Sequence, residues 1–265
     1  MKTPLIYFML FSFILVITSC DKVIDIRLDN ETDRLVIEGN ITDVLGPQVI
    51  KLNTNVAVSN TNTYPPVTGA TVTVSDQAGN VYKFTEAPAG TYTTPKMVGV
   101  AGNTYTMNIV TNGKTYKASS VMPKLVALRS VSSSNSSYNS SDGTRKITVH
   151  YLDTKGVANQ YNFLMYVNDV RVKRVLVNND DFTDGNSVSF DLMENDIGIN
   201  PGDKVTVEMQ CVDKEIYTYW FTLMQQNYTG PGGGVTPSDP PNNISPSALG
   251  YFSAHTTQTK TITVK

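Results

Sequence analysis

The sequence is poor in the side chains that carry most enzyme chemistry. Its 265 residues include two cysteines, two histidines and one tryptophan. A catalytic or zinc-binding pair would need His150 and His255 to converge with a nucleophile or a third ligand, and no Gly-x-Ser-x-Gly or His-Glu-x-x-His motif is present. We therefore expect no enzyme activity, no metal and no cofactor, although a carboxylate pair from separate strands is left open.

The chain also lacks an excess of charge and a cysteine framework. Its 21 basic and 23 acidic residues give a net charge of −2. That balance predicts no nucleic-acid partner. If Cys20 is modified, Cys211 has no partner left, so we expect no disulfide. Cys211 alternates with apolar residues in a predicted strand and is interpreted as a buried small hydrophobe; a reactive thiol is the alternative.

Apart from the N-terminus, long apolar runs are missing. The 14 uncharged residues Leu5–Thr18 follow Lys2, which is typical of a secretory signal and shorter than the roughly 20 residues that span a bilayer. We predict a signal peptide at residues 1–19. Thr18-Ser19-Cys20 resembles the lipobox of bacterial lipoproteins, which implies that Cys20 carries fatty acid such as palmitate and anchors a tether over residues 20–33.

The remaining chain is dominated by short period-two patterns. Leu35, Ile37 and Ile41 alternate with polar residues, as in a half-buried strand. Asn112-Gly113 is a strong hairpin signal, because both residues tolerate positive φ. Strands at this spacing without helices predict an antiparallel β-sandwich over residues 34–122.

The second half adds one helix to further strands. We predict a second antiparallel sandwich over residues 123–265, with a helix at about 214–227 that Asp213 caps. Trp220 falls in the apolar stripe of this helix, so core packing is favoured over a platform for stacking sugars. The fold class is therefore mainly β, with two antiparallel Ig-like or prealbumin-like sandwich modules.

Two irregular segments contain the candidate binding residues. Residues 130–143 hold eight serines and predict a long loop, since this composition buries little surface. Residues 228–248 are rich in proline and glycine and predict another. Loops on a rigid β scaffold commonly bind partners, so the candidates are Tyr138, Tyr228 and Asn243; Asn243 capping a turn before Leu249 is the alternative.

One acidic segment suggests calcium. Residues 178–185 carry carboxylates and amides, the oxygen ligands that calcium prefers. Counted from Asp180, Asp184, Gly185 and Asp191 occupy positions five, six and twelve of an EF-hand loop, but Phe182 stands at position three. An ordinary acidic turn is the favoured interpretation, and calcium the alternative.

Several motifs together resemble one family. They are the lipobox, the strand at 35–42, Gly69-Ala70-Thr71-Val72, and Asn242-Asn243-Ile244 followed by Leu249-Gly250-Tyr251-Phe252-Ser253-Ala254. The Gly-Ala-Thr-Val module resembles prealbumin-like modules, and the whole set resembles a Bacteroidota lipoprotein family, domain of unknown function 4249. The resemblance implies an outer-membrane lipoprotein encoded near a TonB-dependent transporter, on either face of that membrane.

These observations give one functional expectation and two alternatives. We expect a non-catalytic binding or accessory module, anchored to the outer membrane through Cys20 and partnered with a TonB-dependent transporter or another envelope protein. A fimbrial or adhesin-like structural lipoprotein is the first alternative, because such proteins also place β-sandwiches behind a lipobox and assemble by strand addition. An envelope hydrolase is the second.

Overall fold

The computed structural model describes residues 32–57, 63–135, 144–193, 197–226 and 238–265. The predicted class, mainly β with one helix, is confirmed. The predicted signal peptide and Cys20 lie outside the described residues, as do Tyr138 and Tyr228. Within the described ranges, no helix has the length and apolar character needed to cross a membrane.

Sixteen strands and one helix make up the described chain. The helix is α1 (Lys214–Gln226). The strands are β1 (Leu35–Thr42), β2 (Val49–Thr54), β3 (Thr71–Asp76), β4 (Val81–Glu86), β5 (Thr91–Thr93), β6 (Thr104–Thr111), β7 (Lys114–Val121), β8 (Leu128–Asn135), β9 (Arg145–Leu152), β10 (Gln160–Val167), β11 (Val170–Arg171), β12 (Leu176–Asn179), β13 (Ser187–Leu192), β14 (Lys204–Val212), β15 (Ile244–Ser245) and β16 (Leu249–Thr263).

Most strands belong to one long sheet. Its order is β11-β10-β14-β16-β1-β2-β5-β4-β3-β6-β7-β15, with β12 also paired to β10. A separate sheet has the order β13-β9-β8. The last strand, β16, is therefore central: it joins the strands of the first half of the chain to those of the second.

The pairing of β16 departs from the predicted antiparallel pattern. Its first half pairs in parallel with β1, in the register Ile37↔Gly250 and Ile41↔Ala254. Its second half pairs antiparallel with β14. One continuous strand spans Leu249–Thr263 because each half finds a different neighbour. The long sheet is consequently mixed.

Buried apolar side chains form two main cores. The first takes its residues from β1 to β7 and also holds Ile244, Ala248, Phe252 and Ala254 from the end of the chain. The second lies between the β13-β9-β8 sheet and strands β10 and β14. The chain passes from the first core at Met122 to the second at Val126. The predicted division at 122/123 stays a prediction, and Ile244, Ala248, Phe252 and Ala254 of the predicted second module pack in the first core.

The predicted loop at 130–143 is partly wrong. Strand β8 continues through its serines to Asn135, with Ser132 opposite Thr148 and Ser134 opposite Lys146. Composition suggested too little buried surface for order, but backbone pairing with β9 orders these residues while their side chains face outward. Residues 136–143 of the predicted loop lie outside the described ranges.

Two predictions that rest on short sequence motifs, the Asn112-Gly113 hairpin and the Asp213 helix cap, are confirmed. Asn112 and Gly113 have φ of 48° and 71° and connect β6 to β7 as a hairpin. Asp213 caps α1, since its Oδ1 accepts a hydrogen bond from the Ile216 amide at 3.0 Å. The capping carboxylate also accepts one from the Val121 amide at 3.2 Å, so the same side chain attaches the start of the helix to β7.

Candidate functional site

Of the residues predicted to bind a partner, only Asn243 is described, and its side chain is engaged in the fold. Its Nδ2 donates to the carbonyl oxygens of Ser119 at 2.9 Å and Phe252 at 2.7 Å. Its Oδ1 accepts from the Phe252 amide at 3.1 Å. These bonds join β7 and β16 through one amide group. The turn before Leu249, which the sequence analysis assigned to Asn243 as the alternative role, is instead held by Asn242, whose Nδ2 donates to the Ala248 carbonyl at 2.9 Å. Binding through Asn243 stays a prediction.

Asn243 also borders an open hollow of about 530 Å³ beside β7 and the start of α1. Its other polar walls include Ser120 and Asp213, which are hydrogen-bonded to one another. The hollow is thus bordered by polar groups that already hold β7, β16 and α1 together. We place the candidate site elsewhere, where the sheet turns a polar face toward the helix.

The sheet groove lies on the face of β10, β14, β16 and β1 that points away from both cores, and encloses about 200 Å³. Strand alternation explains its composition. In β1, Ile37 and Ile41 enter the first core, so Glu38 and Asn40 project from the opposite face. The full lining is Glu38, Asn40, Thr42, Asn162, Leu164, Arg171, Glu208, Gln210, Trp220, Tyr251, Ser253 and His255.

A chain of polar side chains forms one part of the groove. Asn162 donates through Nδ2 to Gln210 Oε1 at 2.8 Å, and Gln210 Nε2 donates to Glu208 Oε1 at 2.8 Å. Thr257 Oγ1 donates to the same carboxylate oxygen at 3.0 Å. Asn162 and Gln210 are buried although they are polar. Such a network fixes the amides in position, so a ligand would meet preorganised groups.

His255 contributes a neutral imidazole to the floor. It is 2% exposed, and burial lowers its pKa from 6.5 to about 4. The ring is therefore uncharged near neutral pH, with one donor and one acceptor nitrogen. Its Nδ1 lies 3.0 Å from Ser253 Oγ, and Ser253 is equally buried. The pair stands side by side on one strand and serves as a polar, uncharged surface.

Aromatic rings close the other side. The Trp220 ring lies 5.1 Å from Tyr251 and 5.2 Å from Tyr219, both measured between ring centroids. Burial raises the pKa of the Tyr219 phenol to about 12 and also raises that of Tyr251. Trp220 was interpreted as a core residue, and it does pack on Tyr251, but it is only partly buried and lines the groove.

The charged rim of the groove mixes both signs. Glu38 and Glu208 are partly buried, whereas Arg171 of β11 is exposed. Glu38 lies 4.0 Å from Lys51 on the neighbouring strand. Amides, carboxylates and a guanidinium around a small polar volume suit hydrogen bonding to hydroxyl groups, and the partly buried indole adds an aromatic surface to the groove.

Cys211 behaves as the sequence analysis expected. It is 1% exposed in the second core, and its Sγ accepts a hydrogen bond from the Val126 amide at 3.4 Å. Burial raises the pKa of the thiol. A buried thiol that resists deprotonation is a poor nucleophile, so Cys211 packs as a small hydrophobe.

The EF-hand match at the acidic turn does not hold in three dimensions. Asp191 lies in β13, where it bonds Lys146 Nζ at 2.7 Å and Thr148 Oγ1 at 2.6 Å. Lys146 holds the pKa of the Asp191 carboxyl below its usual value. Asp180 and Asp184 instead approach Asp153, which the spacing argument did not include. These carboxylates come together because the loop after β9 meets the loop between β12 and β13, and not because they share one linear calcium-binding loop.

Sequence reasoning missed the sheet groove as a site. The available signal was the run of polar residues at alternate strand positions, such as Glu208 and Gln210, together with Ser253 and His255. Polar faces of that kind are usually solvated. Only the pairing of β16 with both β1 and β14 shows that these rows lie side by side beneath Trp220.

With this geometry in place, the molecule is defined as a mainly β protein whose long mixed sheet bears a polar groove beneath its helix. The chain belongs to the family described as Domain of unknown function (DUF4249), whose family model matches residues 21–261. The resemblance stated from the sequence is thereby confirmed for the family. No curated protein sequence matches the chain.

Solved structures give distant likenesses. A segment of two fibronectin type-III domains from chicken tenascin matches with a TM-score of 0.22 and 15% identity, over 69% of this chain and 91% of that one. The Yersinia pseudotuberculosis adhesin InvE matches with 0.21 and 18%, over 67% and 54%. A DUF4785 family protein from Legionella pneumophila matches with 0.27 and 10%, over 69% and 51%. The chain thus spans about half the length of the latter two.

Proposed function

We propose that this protein is a lipid-anchored binding module of the bacterial outer membrane that holds a saccharide in the sheet groove and turns over no substrate itself. The groove carries the proposal. It combines fixed amides, a neutral imidazole, charges of both signs and the partly buried Trp220 around about 200 Å³. That volume suits one sugar unit of a longer chain better than a drug-sized ligand, for which pockets begin at about 300 Å³.

A saccharide matches this chemistry point by point. Hydroxyl groups both donate and accept, as do the amides of Asn40, Asn162 and Gln210. The apolar face of a sugar ring packs on an aromatic face, and Trp220 offers one at the groove wall. The site thus satisfies a ligand with many hydroxyl groups without burying an unpaired charge.

Binding without turnover is supported by how the groove carboxylates are held. A glycoside hydrolase uses two carboxyl groups, one of them a general acid in an apolar surrounding. Glu208 instead accepts hydrogen bonds from Gln210 and Thr257, and Glu38 faces Lys51. Both groups are tied to strand neighbours, which suits recognition better than proton transfer.

The anchor and the partner complete the proposal. The lipobox at Cys20 supports a Bacteroidota lipoprotein held in the outer membrane by acyl chains; two or more are needed for durable attachment, since one chain binds only marginally. The resemblance to lipoproteins encoded near TonB-dependent transporters supports such a transporter as partner. The segments around Tyr138 and Tyr228, which the sequence predicts to be loops, are the candidate contact with it.

Recovery of partners from solubilised outer membranes tests the proposal. The wild-type chain should copurify a TonB-dependent transporter together with bound saccharide. Shortening the segments around Tyr138 and Tyr228 should reduce recovery of the transporter, whereas Asn40→Ala with Arg171→Ala should reduce the saccharide alone. Recovery of neither by the wild type, or of the same set by all variants, would contradict the proposal.

The anchor needs its own control. Cys20→Ala should abolish labelling by a palmitate analogue and release the protein from the membrane fraction. Cys211→Ala removes the other thiol, which is buried, and should leave labelling unchanged. Equal labelling of the wild type and Cys20→Ala would show that the anchor is wrongly assigned.

A further inference from the structure

Three aspartate side chains meet where two loops of the second half touch. Asp153 follows β9, whereas Asp180 and Asp184 lie between β12 and β13. Carboxylate oxygens of the three lie within 4.8 Å of one another. Asp153 and Asp180 are only 4% and 6% exposed, and Asp184 is exposed. The cluster is therefore open to solvent on one side and enclosed on the other.

Backbone amides aim the carboxylates without neutralising them. Gly185 N donates to Asp153 Oδ2 at 3.0 Å, and Gly156 N donates to Asp184 Oδ1 at 2.6 Å. No salt bridge to any of the three aspartates occurs among the described residues. Each loop thus supplies amide donors to an aspartate of the other, and the negative charge stays unpaired.

Unsatisfied oxygens beside the cluster give a second, independent indication of a ligand. Among the described residues, three buried side-chain polar atoms lack a hydrogen-bond partner, and two of them are Asn159 Oδ1 and Thr183 Oγ1. Asn159 is 5% exposed, and its backbone amide donates to Asp180 Oδ2 at 2.8 Å. Asn159 therefore lies directly beside Asp180.

Thr183 belongs to the same small volume. Its amide donates to the Asp180 carbonyl at 2.8 Å, so its hydroxyl lies in the turn between Asp180 and Asp184. A buried amide oxygen such as Asn159 Oδ1 needs a donor or a cation, because leaving it unpaired is costly. A cation held by the three carboxylates would satisfy these oxygens and the negative charge together.

We propose that Asp153, Asp180 and Asp184, completed by Asn159 Oδ1 and Thr183 Oγ1, form a calcium site. All five proposed ligand atoms are oxygens, which favours a hard cation over zinc. Calcium takes six to eight oxygens in irregular geometry, with water filling open positions, whereas magnesium demands a near-ideal octahedron. The exposed side at Asp184 gives the ion its entry path. The bound ion would clip the β9–β10 loop to the β12–β13 loop.

Calcium titration of the full chain, first stripped of metal, tests the site. Calorimetry should show one calcium per chain, and Tyr161, whose hydroxyl donates to Asp153, should sensitise the luminescence of terbium bound in its place. Calcium at 100 times its Kd should raise the Tm by about 5 °C or more, by mass action on the folded state. Magnesium should give a much smaller rise.

Two variants separate binding from folding. Asp184→Asn changes an exposed ligand and should fold normally while weakening calcium binding by about tenfold or more. Asp169→Asn changes another exposed aspartate, which lies in the β10–β11 hairpin and forms an ion pair with Lys204 of β14. This variant should bind calcium as the wild type does. Absence of calorimetric binding by the wild type at millimolar calcium, equal binding by Asp184→Asn, or an equal response to magnesium would each overturn the calcium assignment.

Discussion

The side chain of Asn243 pairs with the backbone of Phe252 as another strand would. It donates to the Phe252 carbonyl at 2.7 Å and accepts from the Phe252 amide at 3.1 Å. Its Nδ2 also reaches the Ser119 carbonyl on β7 at 2.9 Å. One amide group therefore closes the gap between β7 and β16.

Asn243→Ala should destabilise the protein by about 1–3 kcal/mol, because it leaves the partly buried amide and carbonyl of Phe252 without their partner and also removes the bond to the exposed Ser119 carbonyl. The expected fall in Tm is a few degrees for each kcal/mol. Asn243→Asp is the matched control: it retains the acceptor for the Phe252 amide but sets a carboxylate oxygen against the carbonyls of Phe252 and Ser119, so it should be at least as destabilising as alanine. A Tm of Asn243→Ala equal to that of the wild type would contradict this role.

Gly250→Ala should disrupt the parallel pairing of β1 with β16. Gly250 has a φ of 92°, and an added Cβ would lie 1.9 Å from the Ile37 carbonyl oxygen. Gly102 has nearly the same φ, 91°, but nothing within 4 Å of an added Cβ. Gly102→Ala should therefore cost about 1–2 kcal/mol through φ alone, and Gly250→Ala more than about 4 kcal/mol.

Denaturant unfolding of both glycine variants measures the difference. A Gly250→Ala variant that fails to fold, beside a folded Gly102→Ala, also fits the expectation. Equal losses at the two positions would mean that β16 can move away from β1 at little cost.

His255 should make the free energy of unfolding decrease as the pH is lowered below 6.5. Its pKa is about 4 in the folded protein against an ordinary 6.5, so the unfolded chain takes up the proton first as pH falls between these values. Stability therefore decreases from pH 6.5 toward pH 4, by up to about 1 kcal/mol per pH unit from this group. His255→Gln should remove that slope.

Between pH 6.5 and pH 5 the effect of His255 can be measured apart from that of the carboxyl groups. Asp191, for example, has a lowered pKa in the folded protein, so its contribution to stability is lost at more acid pH. His150→Gln, at the other histidine, serves as the control and should keep the slope. Parallel curves of unfolding free energy against pH for wild type and His255→Gln would contradict the buried, neutral imidazole.

The fragment Arg34–Met122 covers the predicted first module but leaves out β16, which contributes residues to the first core. The first core includes Phe252 and Ala254, and β1 pairs with β16 along one edge. We expect a poorly dispersed amide NMR spectrum for the fragment alone and a dispersed one after addition of a peptide spanning residues 240–256. A dispersed spectrum without the peptide would show that the module is independently stable.

Sequence reasoning succeeded where the controlling interactions are local. Asn112-Gly113 and the Asp213 cap depend on residues within a few positions of each other, so spacing and residue type were sufficient. The pairing of Ile37 with Gly250 joins positions at opposite ends of the chain, and nothing in either segment names the other. The groove depends on that pairing, so its residues were visible individually as polar strand positions but not as a site.

The same limit explains the aspartate cluster. The linear count from Asp180 selected Asp191, which faces Lys146 on the neighbouring strand. Asp153 was overlooked because it belongs to another loop. In both cases the strand pairing decides which side chains meet, and the sequence alone predicted the strands without their order.

The most direct test of the account is a saccharide titration followed by the fluorescence of Trp220, the only tryptophan in the chain. Purified outer-membrane and extracellular oligosaccharides would be added to the wild type and to Arg171→Ala, with product analysis of every binding sugar. The account predicts a saturable change in Trp220 emission, weakened in Arg171→Ala, and recovery of the sugar unchanged. Emission that no saccharide alters, or a sugar recovered cleaved, would contradict a groove that binds without turnover.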